Sequence, residues 1–298
     1  MSWFMLSLVA ILFWSGSDLF SKMGSKEDDI YSHWKMVIFV GTVMGIHALV
    51  EILAGAEFYL KDIILYAPAS VLYILSMILG YVGLRYIVLS VSSPICNSSG
   101  AVAAILCFLF LDQEMGTKQI IAVVMICAGV FALSIIEKKQ DDRARLEMGE
   151  KTDRKYTHSV IAVLFPLLYC LIDGIGTFAD AKILESISET SANIAYELTF
   201  FAMAVFALIY VVIVKKQKIH IQYETPKILG ACCETAGQLA YINALADDKA
   251  IVAAPLISSY CMFSLLWARI FLKERLSWKQ YAVIGIAIVG IVLLGFEE

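Results

Sequence analysis

Polar residues are the exception along most of this chain. Runs of about twenty mainly apolar residues recur ten times, at about 3–23, 34–54, 64–84, 90–111, 117–136, 158–178, 193–214, 226–246, 250–272 and 278–296. A hydrocarbon core about 30 Å thick takes a helix of roughly 20 apolar residues, so each run predicts a membrane-spanning α-helix. One connection is long. Residues 137–155 hold thirteen charged side chains among nineteen, seven basic and six acidic, and read as a solvated linker. The chain thus divides into a five-helix unit over 1–136, a charged linker over 137–157 and a second five-helix unit over 158–298. The first run lacks a basic flank and carries Asp18 and Lys22 near its end. It reads as a span and not as a cleaved signal peptide.

The two units repeat one another. Setting Pro94 against Pro255 aligns them without a gap for about forty residues. Ser98 then matches Ser259, Phe110 matches Phe271, Lys118 matches Lys279, Gln119 matches Gln280 and Gly129 matches Gly290. Leucine matches between apolar helices carry little weight; the proline pair and the Lys-Gln pair carry more. Pro68 and Pro226 also open spans three and eight, so four of the five prolines fall in repeat-related pairs. Five is odd, so the second copy enters the bilayer from the opposite side. The predicted fold is an all-α integral membrane protein of ten transmembrane helices, arranged as two inverted five-helix repeats. Secondary transporters use that arrangement to place a substrate site between the halves near the midplane; a duplication kept only for stability is the alternative.

Composition agrees with the pattern and removes other classes. The 298 residues are 60% hydrophobic and 17% charged, with mean hydropathy +0.79, against about 45–50% and 25% in soluble domains. A net charge of −4 offers no basic surplus for nucleic acid. Phosphate loops, nucleotide motifs and a Ser-His-Asp arrangement are missing, so neither an enzyme nor an ATP-driven pump is indicated, and no cofactor is implied. Seven cysteines all fall within spans, without a Cys-x-x-Cys and without a histidine at ligand spacing. They predict neither a disulfide framework nor a metal site, and read as small buried hydrophobes.

Polar groups inside spans are where chemistry is expected. A charged residue at a helix centre costs at least about 2.5–3.5 kcal/mol and is a functional candidate by default. Glu234 is the deepest, with Gln238 one turn on and Tyr241 extending the same face. Asp18 and Asp173 lie at similar depths in the first helix of each unit, and Gly174 and Gly176 follow Asp173. His47 and Glu51 stand at i and i+4 in span two, where a His-carboxylate pair can carry a proton. Glu234, Asp173, Asp18, His47 and Glu51 are therefore the proton-coupling candidates. Blander readings stand beside them: Asp18 and Glu51 as interfacial groups, Glu197 near a headgroup, and His47 paired with Glu51 to hold span two in place. Asn97 and Ser98 follow Pro94, and Ser259 and Tyr260 follow Pro255, where proline frees backbone carbonyls. With Trp14, Tyr169, Tyr196, Gln238 and Tyr241 they are the candidate solute contacts. Gly41 and Gly45 in span two suit close helix packing.

Phe271-Leu272-Lys273-Glu274-Arg275-Leu276-Ser277-Trp278-Lys279-Gln280, followed by Gly285 and Gly290, resembles the run that leads into the last helix of each repeat in the EamA-type branch of the drug/metabolite transporter superfamily. Phe13-Trp14-Ser15-Gly16 resembles the family's opening helix, while Asp112-Gln113-Glu114 departs from the pattern by one place. The resemblance covers nearly the whole chain. It implies a multi-pass protein of a bacterial cytoplasmic membrane with a central cavity lined by the first four helices of each repeat. It further implies a monomer or homodimer that exports a small solute. Acids and aromatic rings together favour amino acids, amines or cationic compounds, with protons as the coupling ion. A lipid-carrier flippase would want basic residues within spans, and a membrane sensor or assembly partner would want a larger exposed domain. Lys and Arg cluster on the linker's side, which puts the linker in the cytoplasm; the resemblance implies cytoplasmic termini instead, and both orientations stand.

Overall fold

The computed structural model describes the chain except residues 25–28, 30, 84–95, 112, 148–159, 247–248, 272, 274–275 and 297–298. Pro94, Glu274 and the later part of the predicted linker lie outside the described residues. Every regular element among those described is helical. The α-helices are α1 (Trp3–Gly24), α2 (Ser32–Leu53), α3 (Leu60–Gly83), α4 (Ser99–Phe110), α5 (Thr117–Glu147), α6 (Val160–Leu184), α7 (Glu189–Leu208), α8 (Thr225–Leu245), α9 (Ala250–Ser258), α10 (Tyr260–Phe271) and α11 (Trp278–Gly295). A π-helical turn, Ile209–Val214, continues α7.

Five described stretches are long and apolar enough to cross a membrane: Trp3–Ser21, Ser32–Leu53, Glu189–Val214, Ala250–Phe271 and Trp278–Gly295. Ser99–Phe110 and Thr117–Leu133 are apolar but shorter. The outer surface matches a lipid solvent. Ile46, Leu49, Val50 and Leu53 on α2, and Ile105, Phe108, Leu109 and Phe110 on α4, are exposed. An exterior of that kind is an aggregation hazard in water and costs nothing in hydrocarbon.

Local sequence explains where several helices begin and break. Ser277 caps α11: its hydroxyl accepts from the Gln280 N–H, while Gln280 Oε1 accepts from the Ser277 N–H at 2.8 Å. That is a capping box. At the head of α5, Gln119 Oε1 likewise accepts from the Gly116 N–H at 2.9 Å. The repeat-related glutamines 119 and 280 thus do the same job. The run predicted as span nine is two helices, separated at Ser259 one turn after Pro255. Two expected boundaries move. α5 continues through the first half of the predicted linker to Glu147, since the charged residues there include no Gly or Pro and many good helix formers. α6 runs on past 178 to Leu184.

The helices pair across the chain. The principal contacts are α1 with α8, α2 with α7, α3 with α6, α4 with α9 and α5 with α11. Each joins a helix before residue 148 to one after 159. The α2–α7 contact depends on small residues: a Cβ on Gly41 would meet the Phe200 carbonyl oxygen and lie 2.6 Å from Ala204 Cβ. A Gly41→Leu substitution is expected to force these helices apart. The destabilisation should be about 1–3 kcal/mol, the usual cost of overpacking, read as a lower midpoint of thermal unfolding in detergent.

Candidate functional site

Three acids placed on different helices meet in one cavity. Asp18 of α1, Asp173 of α6 and Glu234 of α8 line a central space of about 140 Å³. Trp14, Asn97, Tyr169, Tyr196, Gln238, Tyr241 and Tyr260 share the lining. All three acids therefore reach one volume that is lined by both halves of the chain.

Close packing sets the positions. A Cβ on Gly237 would run into the Trp14 indole, so the glycine lets that ring lie flat against α8. Trp14 then stands 4.9 Å from the Tyr241 ring and 5.8 Å from the Tyr260 ring, centroid to centroid. Each carboxyl has a hydroxyl partner. Ser264 donates to Asp18 Oδ2 at 2.7 Å, Ser76 donates to Asp173 Oδ1 at 3.2 Å, Ser99 also hydrogen-bonds Asp173, and Ser17 hydrogen-bonds Glu234. The Trp14 Nε1 and Gln238 Nε2 donors are buried without a partner among the described residues. The wall thus offers acceptors and π-faces together, which suits a solute carrying a cation.

The cavity's two ends differ. Asp18 is exposed, so the lining reaches the surface there. Toward the start of α3 and the end of α6 the space is closed by a buried polar cluster. Tyr66 and Tyr73 both donate to the fully buried Asp180, Tyr73 at 2.6 Å to Oδ2. Tyr241 donates to Thr177 at 2.9 Å, and its hydroxyl lies 2.6 Å from that of Tyr73. Nearby, Ser191 donates to the buried Asp62 Oδ2 at 2.5 Å, joining α7 to α3. At the other end of the bundle the ties are ionic: Lys35 lies 2.6 Å from Asp29 and 3.3 Å from Glu224, which also pairs with the buried Lys227. Burial pushes the Asp29 carboxyl up, but the Lys35 hydrogen bond and charge act against this, and its pKa lies below the usual carboxylate value.

Other predicted residues fall elsewhere. Ser98 and Ser259 are not in the lining; Ser259 donates instead to the Leu256 carbonyl at 2.6 Å. Their neighbours Ser99 and Ser258 face the cavity. His47 and Glu51 lie outside it, and His47 pairs with Glu197 rather than with Glu51, at 2.9 Å. Glu197 is fully buried, with His47 of α2 against its carboxyl. Sequence reasoning missed Asp180, Thr177, Tyr66 and Tyr73. A signal for the first two existed: Asp173, Thr177 and Asp180 are spaced i, i+4, i+7 and share one helix face. Ending that span at 178 left Asp180 in a connection.

The profile of the EamA-like transporter family matches the chain twice, over residues 1–135 and 160–296. A crystal structure of another protein is similar over 99% of this chain and 96% of its own length, with a TM-score of 0.71 at 10% identity; at that identity the likeness is one of fold. No curated protein sequence matches at a significant level.

Proposed function

Since this chain belongs to the EamA-like transporter family of membrane proteins, we propose that it is a secondary active transporter carrying a small cationic or zwitterionic solute through the cavity between its halves. Amino acids, amines and cationic drugs are the solute class, export is the direction, and protons are the coupling ion. The observation that carries this reading is the meeting of Asp18, Asp173 and Glu234 with Trp14, Tyr169, Tyr196, Tyr241 and Tyr260 around one cavity. Acids within membrane spans are costly; a solute cation or a proton compensates them. Glu234 is the first proton carrier, followed by Asp173 and Asp18, while Gln238 and Asn97 contact solute. His47 and Glu51, outside the cavity, leave the proton path.

The architecture we assign is ten spans in two inverted five-helix repeats, 1–136 and 158–298, joined by the charged stretch 137–157. The contact pattern supports it. Exchanging α1 with α6, α3 with α8, and α4 with the α9–α10 pair turns the α1–α8 contact into α6–α3. It also turns α2–α8 into α7–α3, and α4–α6 into the contact of α1 with α9 and α10. The α2–α7 and α5–α11 contacts map onto themselves. Two related halves around one site are the geometry of alternating access. One end is closed by hydroxyl–carboxyl bonds and the other tied by ion pairs, so opening one side breaks a different set of bonds from opening the other.

Purified protein in liposomes, offered labelled amino acids, amines and cationic drugs with and without a pH gradient, tests the reading. Saturable movement of at least one cationic or zwitterionic solute, driven by the gradient, is expected. Folded protein that moves none of them would sink it.

A further inference from the structure

Away from the cavity, α2 and α7 bring together a second cluster. His47 and Glu51 lie at i and i+4 on α2, and Asn193 and Glu197 at i and i+4 on α7, so each pair shares one helix face. Both oxygens of Glu197 stand 2.9 Å from His47 Nδ1. Ligand atoms of His47, Glu51 and Glu197 all lie within 4.8 Å of one another. None of the four residues is part of the cavity lining.

A His-Glu pair alone would be a structural tie. Here the pair sits among polar atoms that the protein leaves unsatisfied. Among the described residues Glu51 Oε2 is buried without a hydrogen-bond partner, and so is Asn193 Oδ1, on a side chain with no exposure at all. The Asn193 amide N–H hydrogen-bonds the Glu197 carboxyl and so holds the side chain at the cluster. Orphaned buried groups cost about 1–3 kcal/mol each. Glu51 Oε2 and Asn193 Oδ1 are acceptors, and with the Glu197 carboxyl and an imidazole nitrogen they need something positive between them.

We propose that His47, Glu51, Glu197 and the Asn193 side-chain oxygen form a binding site for a divalent transition-metal cation that bridges the two halves of the chain. One imidazole nitrogen with carboxylate and amide oxygens suits Zn²⁺ or Mn²⁺ better than thiolate-seeking Cu⁺, and the imidazole disfavours Mg²⁺ and Ca²⁺. A charge of +2 balances two carboxylates. The i, i+4 placement on facing helices is a normal way for a helical bundle to assemble a metal site. His47 precedes the end of α2 by six residues and Asn193 follows the start of α7 by four, about 6–9 Å along the helix axes. The His47 side chain is 31% exposed, and the cluster is separate from the lining of the solute cavity. The site stands whether or not the transport reading does.

The test uses the full chain in detergent micelles, stripped by a chelator. Zn²⁺ is titrated by calorimetry and Co²⁺ by visible absorption, with thermal unfolding followed in parallel. One Zn²⁺ per chain and a raised unfolding midpoint are expected. Glu51→Gln and His47→Ala should each weaken binding at least about tenfold, while Cys232→Ala with Cys233→Ala leaves it unchanged. If His47→Ala fails to fold, Glu51→Gln, which keeps the side chain's size, decides alone. Absence of saturable Zn²⁺ and Co²⁺ binding by the folded protein overturns the proposal. So does binding that ignores Glu51→Gln or that is lost with the two cysteines.

Discussion

Glu234→Gln is expected to bring pH-gradient-driven uptake down to the level of protein-free liposomes while solute exchange without a gradient persists. The substitution keeps side-chain length and an oxygen that can accept from Ser17, so the wall of the cavity stays in place. It removes the ability to bind and release a proton at the middle of α8. A residue that only shaped the cavity would lose both activities together; a proton carrier loses one. Asp173→Asn, two helices away on the same lining, separates the roles further. If Glu234→Gln leaves gradient-driven uptake intact, the carrier assignment fails.

Asp180→Leu is expected to destabilise the bundle markedly. It deletes a fully buried carboxyl that accepts from Tyr66 and Tyr73. Tyr73 can still turn to Thr177 at 3.1 Å or to Tyr241, but the Tyr66 hydroxyl has no other recorded partner among the described residues. Hydrogen bonds to charged groups contribute about 1.5–3 kcal/mol each, and those between membrane helices fall toward the low end. The two bonds together predict a loss of about 2–4 kcal/mol. Thermal unfolding in detergent should show it, with Asp180→Asn in between because the amide oxygen still accepts one bond. An unchanged midpoint in Asp180→Leu would mean that the cluster contributes nothing to holding that end closed.

Those two residues mark what could and could not be read along the chain. Glu234 was legible because an acid within a turn of a span's centre has no cheap structural excuse. Asp180 was not, because its helix crosses the edge of any twenty-residue window and its partners Tyr66 and Tyr73 lie more than a hundred positions away. The same reason hid Glu197, whose burial depends on a histidine 150 residues earlier. Apolar run length reports how a segment meets lipid and says nothing about which helix it meets. Repeat-related glutamines 119 and 280 were visible as a match, and only the structure assigns them to capping. Ser98 and Ser259 were one residue off for a simple reason: proline marks the neighbourhood of a break, while helix phase decides which hydroxyl faces inward.

Pairing each early helix with a late one bears on how the protein is made. When α1 to α5 have left the ribosome, the faces that will meet α8, α7, α6, α9 and α11 are still bare. Asp18, Trp14 and His47 then sit in lipid or at its edge without the side chains that later surround them. Insertion of the first half is therefore separate from its native packing, which waits for about 140 further residues to be translated. A chain that stops after α5 holds half of every principal interface and completes none of them.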